Sequence, residues 1–158
     1  MFLRRSLSAI KLDPDQTFRT LAGIDFFKSF SDEEKKSLSE YSGQILTYRP
    51  KSTIIKQGMN ENSIFFILKG LVDVNYEEQS TVVLAELGRG AILGEMSFIC
   101  ELPRAANAVA REETMVLRLE GVVYKRMKPD IQNKFKDKVI DILLERIDTI
   151  SNRLIKYL

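Results

Sequence analysis

The sequence contains no histidine, and its 158 residues include a single cysteine, Cys100. One cysteine cannot form a disulfide within the chain. Without histidine, the chain can build neither a Cys/His metal site nor a catalytic triad based on histidine. We therefore expect no metal cofactor, and the enzyme classes that depend on a histidine are excluded.

The chain also lacks an excess of either charge. Its 24 basic and 22 acidic residues are interspersed, and the net charge is only +2. A nucleic-acid-binding protein usually concentrates Lys and Arg on one face. We therefore expect no nucleic-acid partner, and the apolar content of 44% is that of an ordinary soluble globular protein.

Residues 1–12 contain no continuous apolar run, which excludes a signal peptide and a membrane-spanning segment there. Their apolar residues lie among Arg4, Arg5 and Lys11, which leaves two interpretations. One is a tail that is frayed or packed on the domain, and the other is a short basic amphipathic helix on a membrane surface. We predict a tail over residues 1–13, no membrane binding and a cytoplasmic protein.

Two sequence signals indicate helix starts before the middle of the chain. Asp13 followed by Pro14 has the form of an N-cap with proline in the first turn, which predicts a helix over about residues 14–22. Ser31 and Glu34 match the capping box, in which each side chain accepts from an unpaired amide of the first turn. They predict a second helix over about residues 32–42.

Residues 44–119 have a different character, because short runs rich in Val, Ile and Phe alternate with glycine and proline. This pattern is typical of an antiparallel all-β domain. Lys69-Gly70 indicates a tight turn between two of the strands. The predicted strands are Ser63 to Leu68, Leu71 to Asn75, Thr81 to Leu87, a strand around Val109, and Met115 to Leu119.

The last part of the sequence predicts a long helix over residues 130–158. Its apolar residues recur at alternating steps of three and four, as in a coiled coil: Ile140, Leu143, Ile147, Ile150, Leu154 and Tyr157. This seam could pack on the chain's own β-domain or on a parallel helix from a second subunit. We predict a homodimer, because a helix this short rarely exposes so much apolar surface alone.

The candidate chemistry lies in residues 92–110. Gly94 permits a positive φ and a close approach of the backbone to a ligand, and Glu95 offers two acceptor oxygens that suit a sugar hydroxyl. Residues 96–99 can form one helical turn whose free amides point at an anion. Pro103 then redirects the chain and presents Arg104, whose planar donors match two phosphate oxygens.

The two residues after the arginine, Ala105 and Ala106, are small, so they leave room for a ligand and expose their backbone amides. A ribose that carries an anionic phosphate would satisfy all of these groups together. The order of Gly-Glu, a short helix, Pro-Arg and two small residues resembles the phosphate-binding cassette of the cyclic nucleotide-binding domain family. Catabolite activator protein and the regulatory subunits of protein kinase A belong to that family.

The resemblance extends over about residues 14–158 and implies one domain that includes the helix at 130–158. The implied fold is α+β and mainly β. It is an antiparallel β-roll, jelly-roll-like and also described as a double-stranded β-helix, with N-terminal helices and a long C-terminal helix at its flanks.

The resemblance also implies roles for individual residues. Glu95 would accept from the ribose 2′-hydroxyl, and Arg104 would pair with the cyclic phosphate. The phosphate cradle would be completed by the backbone amides of Met96, Ser97, Ala105 and Ala106. In the family the last helix covers the base, and the open candidates for that contact are Arg146, Thr149 and Ser151.

The chain departs from the family pattern at two positions. Leu93 stands where an aromatic residue is frequent, and Asn107 stands where Thr or Ser is usual. Relatives that prefer guanine tend to carry a hydroxyl residue directly after the arginine. This chain has Ala105 there, so the resemblance favours cAMP over cGMP as the ligand.

These observations predict a cAMP-binding sensor module, like a stand-alone bacterial member of the family, that is not an enzyme. It would signal through a helix rearrangement to a downstream protein that the sequence does not identify. No DNA-binding domain follows the last helix in the sequence, so we expect none. The alternative is a ligand-free dimerisation scaffold with a degenerate pocket, in which Glu95 and Arg104 merely form an ion pair.

Overall fold

The computed structural model describes residues 6–41 and 43–157, which fall into two units, one ending at Arg126 and the other beginning at Met127. The first unit starts with strand β1 (Ser8–Lys11), helix α1 (Pro14–Ala22), a 3-10 turn (Asp25–Phe27) and helix α2 (Asp32–Ser39). The elements that follow are β2 (Gln44–Tyr48), β3 (Thr53–Ile55), β4 (Ile64–Lys69), β5 (Leu71–Asn75), β6 (Ala85–Gly88), β7 (Ile92–Leu93), α3 (Glu95–Cys100), β8 (Asn107–Ala110), β9 (Thr114–Leu119) and α4 (Val122–Arg126).

The strands form two antiparallel sheets. The first has the order β1-β2-β9-β4-β7, and the second has the order β3-β8-β5-β6. Strands from distant parts of the sequence are therefore neighbours, as in a jelly roll. The predicted fold class, α+β and mainly β with antiparallel sheets, is confirmed.

The core of this unit contains alternate residues from strands of both sheets. In β4 the buried core residues are Phe65 and Ile67, two positions apart, as the period of a strand requires. The other members of the core are Leu46, Tyr48, Ile54, Ile55, Val72, Leu93, Ala108, Ala110 and Val116. The alternate residues of β4, Ile64 and Phe66, are buried as well, and Phe66 packs against Phe26 and Phe27. The first sheet is therefore covered on both faces at β4.

Both predicted helix starts are confirmed by the hydrogen bonds of their caps. The Asp13 carboxylate accepts from the Gln16 amide at 2.7 Å, and Pro14 opens α1. Ser31 and Glu34 form the reciprocal capping box of α2, with distances of 2.8 and 3.1 Å. α2 ends at Ser39 rather than near residue 42, and Ser42 itself lies outside the described residues.

The N-terminal segment differs from the tail that was predicted over residues 1–13. Ser8–Lys11 forms β1, which pairs with β2 from Ser8↔Thr47 to Lys11↔Gln44. An amphipathic helix is therefore wrong for these four residues, because the open edge of β2 offers their backbone a ladder of hydrogen bonds. Residues 1–5 lie outside the described residues.

The strand predicted from Thr81 to Leu87 is also shorter than expected. It covers Ala85–Gly88, and the residues before it belong to a turn in which Val82 and Val83 are exposed. The apolar, β-branched residues at 82 and 83 favoured a strand locally. The register of β6 begins only at Val74↔Ala85, so no partner strand extends the ladder further back.

The second unit consists mainly of α5 (Pro129–Ile155), a helix of 27 residues. The predicted start near residue 130 is confirmed, with Pro129 in the first turn. The buried residues of the helix, Ile131, Phe135 and Val139, all belong to its first half. The predicted seam residues Ile140, Ile147 and Leu154 are 51%, 58% and 60% exposed. Among the described helices, none combines the length and hydropathy needed to cross a membrane.

The turn between β4 and β5 generates a stability prediction. Gly70 has φ 106°, and a Cβ there would lie 2.5 Å from Thr114 Oγ1 and 2.6 Å from the Glu113 carbonyl oxygen. Gly90 has φ 87°, but a Cβ added there would meet no heavy atom within 4 Å. Gly90→Ala should cost about 1–2 kcal/mol through backbone strain alone, and Gly70→Ala about 1–3 kcal/mol more through the clash.

Urea unfolding of the wild type and both variants measures this difference. Equal losses in the two variants would mean that the contact of Gly70 with residues 113 and 114 does not constrain the turn.

Candidate functional site

The predicted Gly-Glu segment lies at the junction of β7 and α3. Gly94 has φ 79° and is the N-cap of α3, a helix of six residues whose C-cap, Glu101, has φ 56°. Within α3, Glu95 and Ser97 are buried, whereas Met96 is exposed. The amides of Met96 and Ser97 belong to the first turn, where a helix has no internal acceptor for them. The predicted helical turn is therefore present.

Arg104 is a buried residue whose backbone is fixed on both sides. Its amide donates to the Met59 carbonyl oxygen at 2.9 Å, and its carbonyl oxygen accepts from the Gly58 amide at 2.8 Å. The guanidinium lies 5.9 Å from the centre of the Phe65 ring, within range of a cation–π contact. A buried charge of this kind requires partners.

The guanidinium of Arg104 has three such partners. Nη2 donates to Glu61 Oε2 at 2.5 Å and to the Ser63 carbonyl oxygen at 2.6 Å. Nη1 donates to the Gly94 carbonyl oxygen at 3.1 Å. The structure thus joins the two ends of the predicted cassette, Gly94 and Arg104, although they are ten positions apart in the sequence.

This contact explains why residue 94 is glycine in physical terms. A Cβ at that position would overlap Arg104 Nη1 and would lie 2.9 Å from the Ser63 carbonyl oxygen. The positive φ at Gly94 adds a second reason. The side chain of Arg104 therefore occupies the space that the absence of a side chain at residue 94 leaves open.

Glu61 is a residue of the candidate site that sequence reasoning missed. Its Oε2 contacts Arg104, while its Oε1 accepts from the Ser63 amide at 2.9 Å and lies 3.3 Å from Arg118 Nη2. Arg118 also donates from Nη1 to Gln44 Oε1 at 3.1 Å. One carboxylate thus bridges two arginines. The position of Glu61, shortly before β4, was the available signal in the sequence. Spacing alone did not connect Glu61 to Arg104.

The electrostatics of the site follow from this arrangement. Burial lowers the pKa of the Arg104 guanidinium from its ordinary value, and the Glu61 carboxylate and, more weakly, that of Glu95 oppose the shift. Burial by itself raises the pKa of the Glu61 carboxyl. Hydrogen bonding from Ser63 and the charge of Arg104 outweigh that effect, so its pKa lies below the ordinary value. Glu61 is therefore ionised at neutral pH.

A degenerate pocket predicted an ion pair of Arg104 with Glu95, and the structure places Glu61 against the guanidinium. Glu61 contacts the guanidinium, whereas Glu95 acts on the charge of Arg104 as a further carboxylate nearby. Ala105 is exposed and Ala106 is partly buried, in the segment between Arg104 and β8.

Asn107, at a departure from the family pattern, has a structural role. Its Nδ2 donates to Asn75 Oδ1 at 3.2 Å and to Glu77 Oε2 at 2.9 Å. Its Oδ1 accepts from the Gln57 amide at 2.8 Å. An amide side chain can donate and accept at once, so Asn107 connects β8 to β5 and to the loop before β4.

A cavity of about 340 Å³ adjoins the bridging carboxylate. Glu61 and Arg118 both line it, and none of the seven predicted ligand residues does. The other lining residues are Asn62, Ser63, Glu101, Glu120, Gly121, Val122 and Lys125. Arg146, Thr149 and Ser151, the candidates for covering the base, all belong to α5 and stay a prediction.

Comparison with known proteins shows the family to which the chain is related. The family model described as the cyclic nucleotide-binding domain matches residues 45–127. The cAMP-dependent protein kinase regulatory subunit of Dictyostelium discoideum is 29% identical over 135 residues, which cover 84% of this chain and 40% of that protein. The chain therefore spans less than half the length of this curated relative.

Two solved structures have a similar fold. A cyclic nucleotide-binding domain from Methylobacillus flagellatus has a TM-score of 0.76 at 24% identity, over 95% of this chain and 89% of that one. The regulatory subunit of a cAMP-independent protein kinase A from Trypanosoma brucei has a TM-score of 0.70 at 20% identity, over 92% and 50%. The resemblance noted in the sequence is confirmed: the chain belongs to the cyclic nucleotide-binding domain family.

Proposed function

We propose that this chain binds cAMP at the segment from Gly94 to Ala106 and acts as a regulatory sensor. The observation that carries the proposal is the convergence of Gly94 and Arg104, joined by the hydrogen bond from Nη1 to the Gly94 carbonyl oxygen. The charge of Glu95 also acts on Arg104. A buried arginine beside a carboxylate and the open turn of a short helix is suited to an anion attached to a sugar.

In this proposal each predicted residue has one task. Arg104 pairs with the cyclic phosphate, and Glu95 accepts from the ribose 2′-hydroxyl. The remaining phosphate contacts come from the backbone amides of Met96, Ser97, Ala105 and Ala106. The absence of a hydroxyl at Ala105 favours adenine over guanine, so the affinity for cGMP should be the lower of the two.

The proposal also covers what the chain does with the ligand. It binds the nucleotide without converting it, and no metal takes part. Binding would select one arrangement of α5, whose residues Arg146, Thr149 and Ser151 are the candidates to cover the base. The signal would pass from there to a downstream protein. Because cyclic nucleotides are made and hydrolysed inside cells, the proposal includes a cytoplasmic location, with no nucleic-acid or membrane partner.

A second candidate function is a ligand-free scaffold, and one observation favours it. The buried charge of Arg104 is paired with the Glu61 carboxylate and hydrogen-bonded to two backbone carbonyl oxygens, so it is stabilised within the fold. Thermal unfolding separates the two functions, because a ligand at one hundred times its Kd stabilises the folded protein by about 2.7 kcal/mol. A scaffold would melt at the same temperature with and without cAMP.

Arg104→Gln should weaken cAMP binding by about thirtyfold or more, because truncating one partner of a buried charged pair costs about 2–5 kcal/mol. Isothermal titration calorimetry measures the affinity. Arg111→Gln is the matched control, since Arg111 also pairs with two carboxylates, Asp73 and Glu86, but is exposed. The control should bind cAMP as the wild type does.

Arg104→Lys keeps the positive charge, so it provides a second test should the Arg104→Gln variant fail to fold. It should fold and still bind more weakly than the wild type, since lysine cannot make a bidentate contact. Unchanged affinity in both variants at residue 104 would rule out this role for the arginine.

We propose further that two chains pair through α5 to form a homodimer. Ile140, Ile147 and Leu154 are spaced by seven residues and more than half exposed, as the contact positions of a coiled coil are before pairing. Ile147→Asp should dissociate the dimer, because it places a charge in the apolar seam. Asn152→Asp adds the same charge at a polar position of α5 and should leave the dimer intact.

Sedimentation equilibrium of the wild type and both variants measures the oligomeric state. A wild-type chain that sediments as a monomer would refute the dimer, whatever the variants do.

A further inference from the structure

We propose that Glu61 is an internal competitor of the ligand for Arg104, and that Arg118 retains Glu61 when the ligand's phosphate displaces it. This inference rests on the proposed function and concerns the regulation of the same site. It predicts that the chain binds cAMP more weakly than it would if Arg104 were not already paired with Glu61.

The first step concerns the hydrogens of the guanidinium. A bidentate contact with a phosphate needs two adjacent N–H groups, and the guanidinium offers them on two edges, Nη1 with Nη2 and Nε with Nη2. Both edges include Nη2. Its two hydrogens are used, one by Glu61 Oε2 and one by the Ser63 carbonyl oxygen. A phosphate can therefore bind Arg104 in this way only if one of these acceptors gives up its hydrogen bond.

The second step identifies which acceptor leaves. The Ser63 carbonyl oxygen belongs to the backbone directly before β4, where the pairing of β4 with β9 starts at Ile64↔Leu119. Moving it would disturb the sheet. Glu61 lies before the strand, and its contact is made by a side chain with rotatable bonds. The carboxylate of Glu61 is thus the acceptor that can be exchanged for a phosphate.

The third step concerns the fate of the displaced carboxylate. A buried charge without a partner would make the exchange costly. Glu61 Oε1 already lies 3.3 Å from Arg118 Nη2 and accepts from the Ser63 amide at 2.9 Å. Releasing Arg104 therefore leaves Glu61 paired with a second arginine. This arrangement lowers the free energy needed for the exchange.

The fourth step concerns space. Glu61 and Arg118 line the cavity of about 340 Å³, which is far larger than a carboxylate group. The side chain of Glu61 has room to move on the side of Arg118 without repacking the core. The displaced carboxylate of Glu61 thus has both a partner, Arg118, and space to move into.

The consequence is a reduced apparent affinity. A protein whose binding-competent state is only partly populated binds with an affinity reduced by that fraction. Because a hydrogen bond to a charged group contributes about 1.5–3 kcal/mol, the competition should cost the ligand roughly tenfold or more in Kd. A residue that merely orients Arg104 would have the opposite effect, since its removal would weaken binding.

Calorimetric titration with cAMP of the full chain and its Glu61→Gln variant tests the inference. Glutamine keeps the size of the side chain and removes its charge, so the variant should bind cAMP about tenfold more tightly. Glu120→Gln is the matched control, because Glu120 also lies near Arg118, at 3.7 Å, and is mostly exposed. This control should bind as the wild type does.

Arg118→Gln provides an independent readout. Without Arg118, Glu61 should stay on Arg104, so cAMP should bind more weakly than to the wild type. The same change in the Glu61→Gln background should have no effect on affinity. This dependence of one substitution on the other is not expected if Arg118 has only a structural role. Arg118→Gln also tests the inference should Glu61→Gln fail to fold.

The outcomes separate this inference from the proposed function. Tighter binding by Glu61→Gln supports the competition, including the case in which only the variant binds. Equal or weaker binding by Glu61→Gln, with a wild type that binds, overturns the competition and leaves the proposed function standing. Absence of cAMP binding in both proteins overturns the proposed function and the competition together.

Discussion

The candidate site depends on how the fold satisfies one buried cation. The guanidinium of Arg104 is removed from water, and a charge in that position is tolerated only with hydrogen-bonding partners around it. The partners come from three separate places: the Glu61 side chain, the Ser63 backbone and the Gly94 backbone. Residue 94 lacks a side chain at the point where the guanidinium lies. The position of Arg104 and the glycine before α3 are thus two parts of one constraint.

Strand pairing explains how these distant residues meet. β4 pairs with β7 through Phe65↔Leu93, in antiparallel register. The residues directly before β4 therefore lie beside those directly after β7, which brings the carbonyl oxygens of Ser63 and Gly94 together. The backbone hydrogen bonds of Arg104 with Gly58 and Met59 add the third segment. The sheets set the position of the site, and loops supply its chemistry.

The features that sequence reasoning predicted well are those decided within a few residues. The N-cap at Asp13, the capping box at Ser31, the tight turn at Gly70 and the helical turn after Gly94 depend on neighbours at most four positions away. β1 and Glu61 were missed because each depends on a partner far along the chain. β1 needs the edge of β2. Glu61 is one of 22 acidic residues, and nothing in the sequence around it indicates that it pairs with Arg104. Val82 and Val83 caused the opposite error, a strand predicted where none forms. Their β-propensity is high, but no neighbouring strand among the described residues pairs with them.

The single cysteine of the sequence has a practical value that follows from its place. Cys100 is the last residue of α3 and is exposed, six positions after the glycine that contacts Arg104. A maleimide dye would therefore attach at one known point, and no other thiol in the chain would compete for it. The native protein thus provides a spectroscopic handle on the cassette helix without any engineered residue.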